Sequence, residues 1–231
     1  LELSEQEIFR RESLIELEKL GINPFPADEY VVNANSDEIH KNYKAEEKNY
    51  QQVSIAGRIM ARRIIGSASF FELQDAYGRI QVYVKRDDIC PTEDKTMYNT
   101  VFKKLLDIGD FVGVKGYAFI TQMGELSVHC QEITVLSKSV RPLPIVKEKD
   151  GVMYDALTDP ETRYRQRYVD LVVNPHVSAV FAKRPKIVST MRQFFDSKGY
   201  LDVETPILEP IPVGLPARPF FMLLNTLDPN F

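Results

Sequence analysis

Between residues 53 and 136, apolar and polar side chains alternate in short runs separated by turn residues, and this alternation predicts strands. Three runs come first, at residues 53–62, 69–73 and 79–84; Gly66 precedes the second and Asp75-Ala-Tyr-Gly78 the third. Within them Val82 and Val84 alternate with Gln81 and Tyr83. A helical period follows at residues 97–106, where Met97, Val101, Phe102 and Leu105 fall on neighbouring turns. Two more runs, 111–121 and 126–136, close the unit and are joined by the hairpin signal Gln122-Met-Gly-Glu125. In the first of these, Val112 and Val114 alternate with Gly113 and Lys115.

The flanks have a different period. Ser4-Glu-Gln-Glu7 is a capping box, and it opens a helix to about Leu20 with Ile8, Leu14, Ile15, Leu17 and Leu20 as its apolar stripe. Gly21, Pro24 and Pro26 end it. Arg10 and Arg11 interrupt an acidic helix, where ion pairs along the helix surface are favoured over phosphate contacts. Asn35 starts a second, polar helical segment that runs through Lys48, a connector lying on the strands, with His40 a solvated surface histidine. Downstream, the prolines of residues 139–146 and the charged run 147–151 mark a domain boundary. Pro160 opens a helix to Val173, and Asn174-Pro175 breaks it. A longer helix from His176 to about Ser197 is expected to bury Val180, Phe181, Ile187, Val188, Met191, Phe194 and Phe195, and to kink or split at Pro185. Lys198-Gly199 ends it, and an extended segment follows over residues 200–208.

The order strand, strand, strand, helix, strand, strand is that of an OB-fold, a five-stranded Greek-key barrel whose open face takes single-stranded nucleic acid. The expected class is α+β: a helical segment at 1–52, the barrel at 53–137, a linker at 138–160, and the start of a further domain at 161–231. Phe70 and Phe71 are adjacent, so a strand points them to opposite faces, one into the core and one outward where it can stack a base; a twist that buries both is the alternative. Net charge is −4, but residues 1–52 hold 6 Lys and Arg against 12 Asp and Glu, while residues 53–136 hold 10 of each. A neutral barrel disfavours a non-specific single-strand binder, which needs a basic groove, and permits one that reads a few bases. Cys90 and Cys130 make no paired metal-ligand spacing, and no metal site is expected. With no membrane-length apolar run and no signal-peptide layout, a cytoplasmic setting is expected.

Several ordered segments carry a family resemblance. They are residues 57–70 (Gly-Arg-Ile-Met-Ala-Arg-Arg-Ile-Ile-Gly-Ser-Ala-Ser-Phe), the hairpin Gly-Glu-Leu-Ser-Val-His at 124–129, Arg-Pro-Leu-Pro at 141–144, the arginine-tyrosine run at 163–171, and Gly-Tyr-Leu-Asp-Val-Glu-Thr-Pro at 199–206. In that order they resemble the N-terminal part of the bacterial-type class II lysyl-tRNA synthetases, through motif 1. The arginine-tyrosine run also suits aspartyl and asparaginyl relatives, whereas the hairpin and Tyr-Val-Lys-Arg-Asp-Asp at 83–88 favour the lysyl branch. The resemblance implies an anticodon-binding barrel and a homodimer, with tRNA of a uridine-rich anticodon as partner. By position it gives Phe70 the stacking of the middle base, Gln81 the Watson–Crick edge with help from Arg62 (or its neighbour Arg63), and Glu125 a neighbouring base. A carboxamide suits an edge with both donor and acceptor, and a carboxylate selects an N–H. A solvent-facing strand residue is the bland alternative for Gln81. By the same resemblance, Gly199 and Pro206 are expected to belong to motif 1 at the dimer interface.

The resemblance thins near the end. Gly214, Ala217, Arg218, Pro219 and Phe220 match the family's substrate-lysine loop, but Val213, Leu215 and Pro216 depart from it. The later class II motifs, whose arginines clamp ATP, are not found here, so no catalytic residue is expected in this chain. It should be inert alone, a piece of a larger enzyme that would use ATP and Mg²⁺, with neither expected on this chain. A stand-alone OB-fold RNA-binding module or a paralogue without ligase activity is the rival reading, as is an aspartyl or asparaginyl enzyme.

Overall fold

β1 (Val53–Ile65) closes the barrel by serving two neighbours at once. Its first half, Val53 to Arg58, runs antiparallel to β4 (Phe111–Ile120); its second half runs antiparallel to β2 (Ala68–Gln74). β2 pairs with β3 (Arg79–Lys85), β3 lies parallel to β5 (Leu126–Ser137), and β5 returns antiparallel to β4. The order round the closed barrel is β1-β2-β3-β5-β4. β1 must bend sharply where it changes partner, and Gly57 sits there: a Cβ at this position would lie 2.5 Å from the Gln74 carbonyl oxygen. A bulge between Ile59 and Ala61 completes the bend. The computed structural model describes residues 3–144, 147–149, 152–154 and 157–205.

The alternation read from the sequence is the alternation observed. Val82, Val84, Val112 and Val114 are fully buried, with Ile55, Ile59, Phe71 and Leu73 beside them. Residues 97–106 do form a helix that seals one end of the core, but Met97–Leu105 is wound as a π-helix: the Leu106 N–H bonds to the Val101 carbonyl at 2.9 Å, five residues back. It buries Tyr98, Val101 and Phe102. The Phe102 ring lies 5.7 Å from Tyr98 and 5.9 Å from Phe71, so helix and barrel share one aromatic centre.

α1 (Glu5–Lys19) keeps its capping box, Ser4 and Glu7 bonding each other's backbone. Its buried face is not the expected stripe. Ile8, Ile15 and Leu20 are exposed, whereas Arg10, Ser13 and Leu17 face inward. Arg10 is no surface ion: its guanidinium donates to the carbonyls of Ile108 (2.8 Å) and Ser139 (3.0 Å). Loop carbonyls at the barrel's base need donors, and a long cation whose stem packs on apolar surface supplies them. α2 (Ser36–Asn42) stops well before Lys48; it is pinned through Ile39, wholly buried, and through Ser36, whose N–H and hydroxyl both reach the Asp75 carboxylate at 2.7 Å. α3 (Arg86–Ile89) is a single turn after β3.

Beyond the barrel, β6 (Lys147–Lys149) and β7 (Val152–Tyr154) pair as a short antiparallel hairpin in the region read as a linker. The helix expected from Pro160 to Val173 is broken at Gln166 into α4 (Pro160–Arg165) and α5 (Arg167–Val173). The contacts divide the chain into two units after Val169. In the second, α6 (Pro175–Ser197) runs through Pro185 as one helix, not split there. Its apolar positions are exposed rather than buried, Val180, Ile187 and Phe194 by more than half. An amphipathic pattern announces a face suited to burial without naming what covers it.

One ion cluster at the end of the barrel is centred on two fully enclosed side chains. Lys138 Nζ lies 2.8 Å from Asp110 Oδ2 and 2.6 Å from Asp107 Oδ2, and the side chains of Lys138 and Asp110 have no exposure. Asp110 also accepts from the Asp107 and Ser139 N–H groups, both at 2.7 Å. Burial pushes its carboxyl above the usual carboxylate range, and Lys138 offsets that only in part. Lys138→Met strands a buried carboxylate and should cost about 3–5 kcal/mol in urea unfolding at neutral pH. Because the folded-state pKa of Asp110 is raised, ionisation costs stability as pH rises through it. The variant's deficit should therefore shrink in mild acid, where a protonated Asp110 leaves no buried charge. A deficit independent of pH would show that packing, not charge, is lost.

Candidate nucleic-acid interface

Barrel registration sets out two rows of side chains on the outer surface. Arg63 of β1 stands opposite Phe70 of β2, Phe70 opposite Tyr83 of β3, Tyr83 beside His129 of β5, and His129 opposite Tyr117 of β4. The parallel row two residues away holds Glu72, Gln81, Ser127 and Phe119. Between these rows and the β4–β5 hairpin is a cleft of about 490 Å³, lined among others by Arg63, Phe70, Gln81, Met123 and Glu125.

The two phenylalanines divide as a strand requires. Both border the cleft, but Phe71 is 2% exposed and belongs to the core, while Phe70 is half-buried on the outer face. Gln81 also faces outward; its Nε2 donates to the Ser127 hydroxyl at 2.8 Å, which fixes the plane of the carboxamide. Glu125 is exposed at the base of a tight hairpin, and among the described residues its carboxylate has no hydrogen-bond partner. His40 is exposed, as expected, with Nε2 3.1 Å from the Arg79 carbonyl oxygen, and it too lines the cleft.

Arg62 lines the cleft, but its guanidinium is engaged by the protein itself. It pairs across the strands with buried Phe71, and although it touches the cleft wall, its Nη1 donates to the carbonyls of Phe102 (2.7 Å) and Leu106 at the end of the π-helix. Burial lowers its pKa, which Asp107 and Asp110 partly oppose. A helix end leaves carbonyls without donors, and Arg62 supplies them. Its neighbour Arg63 is exposed in the row with Phe70 and makes no ion pair or hydrogen bond among the described residues.

A second feature went unread in the sequence. Behind Phe70 lies Tyr83 at 5.1 Å between ring centroids, and behind that His129 at 5.0 Å. His129 is clamped from both sides, Nε2 to Asp88 at 2.7 Å and Nδ1 to the Tyr117 hydroxyl at 3.0 Å, and its ring stacks on Tyr117. Period-two alternation does place Tyr83 on the face of Gln81, but the partners of His129 come from three different segments and no local signal joins them.

Comparison with known proteins matches two stretches of the chain. Residues 53–136 match the family model of the OB-fold nucleic acid binding domain, and residues 159–231 that of class II tRNA synthetases (D, K and N). The chain is 63% identical over 229 residues to a lysine–tRNA ligase of Porphyromonas gingivalis, covering 99% of this chain and 40% of that protein. It is 57% identical over 226 residues to the lysine–tRNA ligase of Azobacteroides pseudotrichonymphae, covering 98% and 45% respectively. The chain thus matches part of these lysine–tRNA ligases. It spans less than half the length of these relatives. Of the positions that the synthetase resemblance singles out, Arg62, Phe70, Gln81 and Glu125 all line the cleft, Arg62 with its Nη1 engaged by helix carbonyls. Gly199 turns the chain after α6 with φ +83°, and Pro206 and Gly214 lie outside the described residues.

Arg62→Ala should lower fold stability by roughly 1–3 kcal/mol, the cost of leaving buried carbonyls without a donor, and Arg63→Ala should change it by less than about 0.5 kcal/mol. Equal unfolding midpoints for the two variants would contradict the division of roles.

Proposed function

We propose that this chain is the anticodon-binding part of a lysine–tRNA ligase, an enzyme that joins lysine to its tRNA using ATP and Mg²⁺. The observation that carries the reading is a half-buried ring, a fixed carboxamide, a free carboxylate and a free guanidinium in one cleft, on a chain whose relatives are named lysine–tRNA ligases. The middle anticodon base stacks on Phe70. Gln81 then meets its Watson–Crick edge, because a uracil offers an N–H and carbonyl oxygens and a carboxamide answers both. Arg63 takes the part that the resemblance assigned to Arg62, since the Nη1 of Arg62 is engaged by helix carbonyls. Glu125 accepts from the N–H of a neighbouring base. Recognition of this kind suits a splayed single-stranded loop.

The same reading divides the chain at 1–52, 53–137, 138–160 and 161–231, the last being the start of a catalytic domain. Among the described residues no group of three or more His, Cys, Asp or Glu side chains lies together. The exposed apolar face of α6 supports a homodimer in which a second copy covers it, with Gly199 and Pro206 at that interface. No helix among the described residues is long and apolar enough to cross a membrane, and we place the protein in the cytoplasm with tRNA.

Titration with anticodon stem-loops tests the reading. A uridine-rich lysine loop should bind more tightly than an aspartate loop, and Phe70→Ala should lose roughly 1–3 kcal/mol of that affinity while unfolding as the parent does. Arg63→Ala should weaken binding and lessen its salt dependence. Equal binding of the two loops would remove the lysyl assignment.

A further inference from the structure

The tip of the β4–β5 hairpin carries an apolar side chain that the fold does not use. Met123 is 94% exposed, the highest value among the large apolar residues described, yet it lines the same cleft as Phe70, Gln81 and Glu125. A methionine left in water removes no apolar area from solvent, so barrel stability gives no reason for it. Nor is its position loose. Thr121 N–H bonds to the Glu125 carbonyl and Gly124 N–H to the Thr121 carbonyl, both at 2.9 Å, and Glu125 N–H reaches the Thr121 hydroxyl at 3.0 Å. Gly124 turns the chain with φ +84°, a conformation that L side chains rarely adopt. The hairpin therefore holds Met123 at the cleft's rim on the same short turn that positions Glu125.

We infer that Met123 is a base-contacting residue, closing over the nucleobase that stacks on Phe70. The inference rests on the anticodon reading above and extends it. A thioether is flexible and polarisable, and it favours contact with aromatic rings. It has no strong donor or acceptor, so it grips the planar shape of a base without reading its letter. Gln81 and Glu125 set which base is chosen; Met123 sets how tightly any accepted base is held. Met123→Ala should then weaken the lysine stem-loop by roughly 2–10-fold, the range of a sulfur–aromatic contact, while leaving the ratio of lysine to aspartate loop affinities unchanged. Met123→Leu, which keeps the apolar bulk but has no sulfur, should recover only part of the loss.

Oxidation footprinting reads the contact directly. The full chain is treated with dilute hydrogen peroxide, with and without a saturating uridine-rich anticodon stem-loop, and each methionine is followed by peptide mass spectrometry. In the free chain Met123 should oxidise faster than Met60, which is 8% exposed. The bound loop should slow Met123 several-fold and leave Met191 of α6, 56% exposed, unchanged. If the loop binds with lysine preference but Met123 oxidises at its free rate, or if Met123→Ala binds as the parent does, this inference fails and the anticodon reading stands. If the lysine loop binds no better than the aspartate loop, the anticodon reading itself fails and takes this inference with it.

Discussion

Closure of the barrel through β1 is the constraint on which the recognition surface depends. A strand paired on both sides has no freedom of register, and a slip of one residue would exchange the two faces of every strand it pairs with. Because Arg62 pairs with Phe71 and Arg63 with Phe70, the choice of which arginine and which ring face solvent is made once, for the whole sheet. Phe71 goes to the core and meets the π-helix at Phe102; Arg62 follows it inward to the helix's carbonyls. Phe70 and Arg63 are what remains outside. The surface is thus a by-product of how the core is filled.

Rigidity is supplied from behind. An exposed ring on a sheet can swing about χ1, and a swinging ring is a poor stacking platform because binding must first immobilise it. Here Tyr83 packs against Phe70, His129 packs against Tyr83, and His129 is fixed by Asp88 and the Tyr117 hydroxyl. Gln81 is likewise held by Ser127. The opposite rim, carried by the hairpin with Glu125 and Met123, is set by backbone bonds within the turn. Preorganisation on both sides matters more than charge, in keeping with a barrel that has equal numbers of acidic and basic residues.

What could be read in the sequence is what local periodicity encodes. The five strands, the hairpin, the capping box of α1 and the opposed facing of Phe70 and Phe71 all follow from spacings of two to four residues. The failures share one cause, which is dependence on distant partners. Arg10 looked like a surface ion because its acceptors, Ile108 and Ser139, lie about a hundred residues away. The resemblance pointed to Arg62 with Arg63 as the alternative, and local spacing could not show that beyond the bulge between Ile59 and Ala61 it is Arg62 that pairs with buried Phe71. The stripe on α1 misled because its buried face is formed by Arg10, Ser13 and Leu17, and only one of those is apolar. On α6 the apolar positions were found correctly, but their burial was not, since a pattern does not state what covers it.

Central to the account is that Phe70, and not its neighbour, carries the base. The most direct measurement is of nuclear Overhauser contacts between the phenylalanine rings of the labelled chain and the H5 and H6 protons of the middle anticodon uridine in a bound stem-loop. The account predicts cross-peaks from Phe70 and none from Phe71. A bound loop whose middle base shows no contact to Phe70, or shows contact to Phe71 instead, would contradict it.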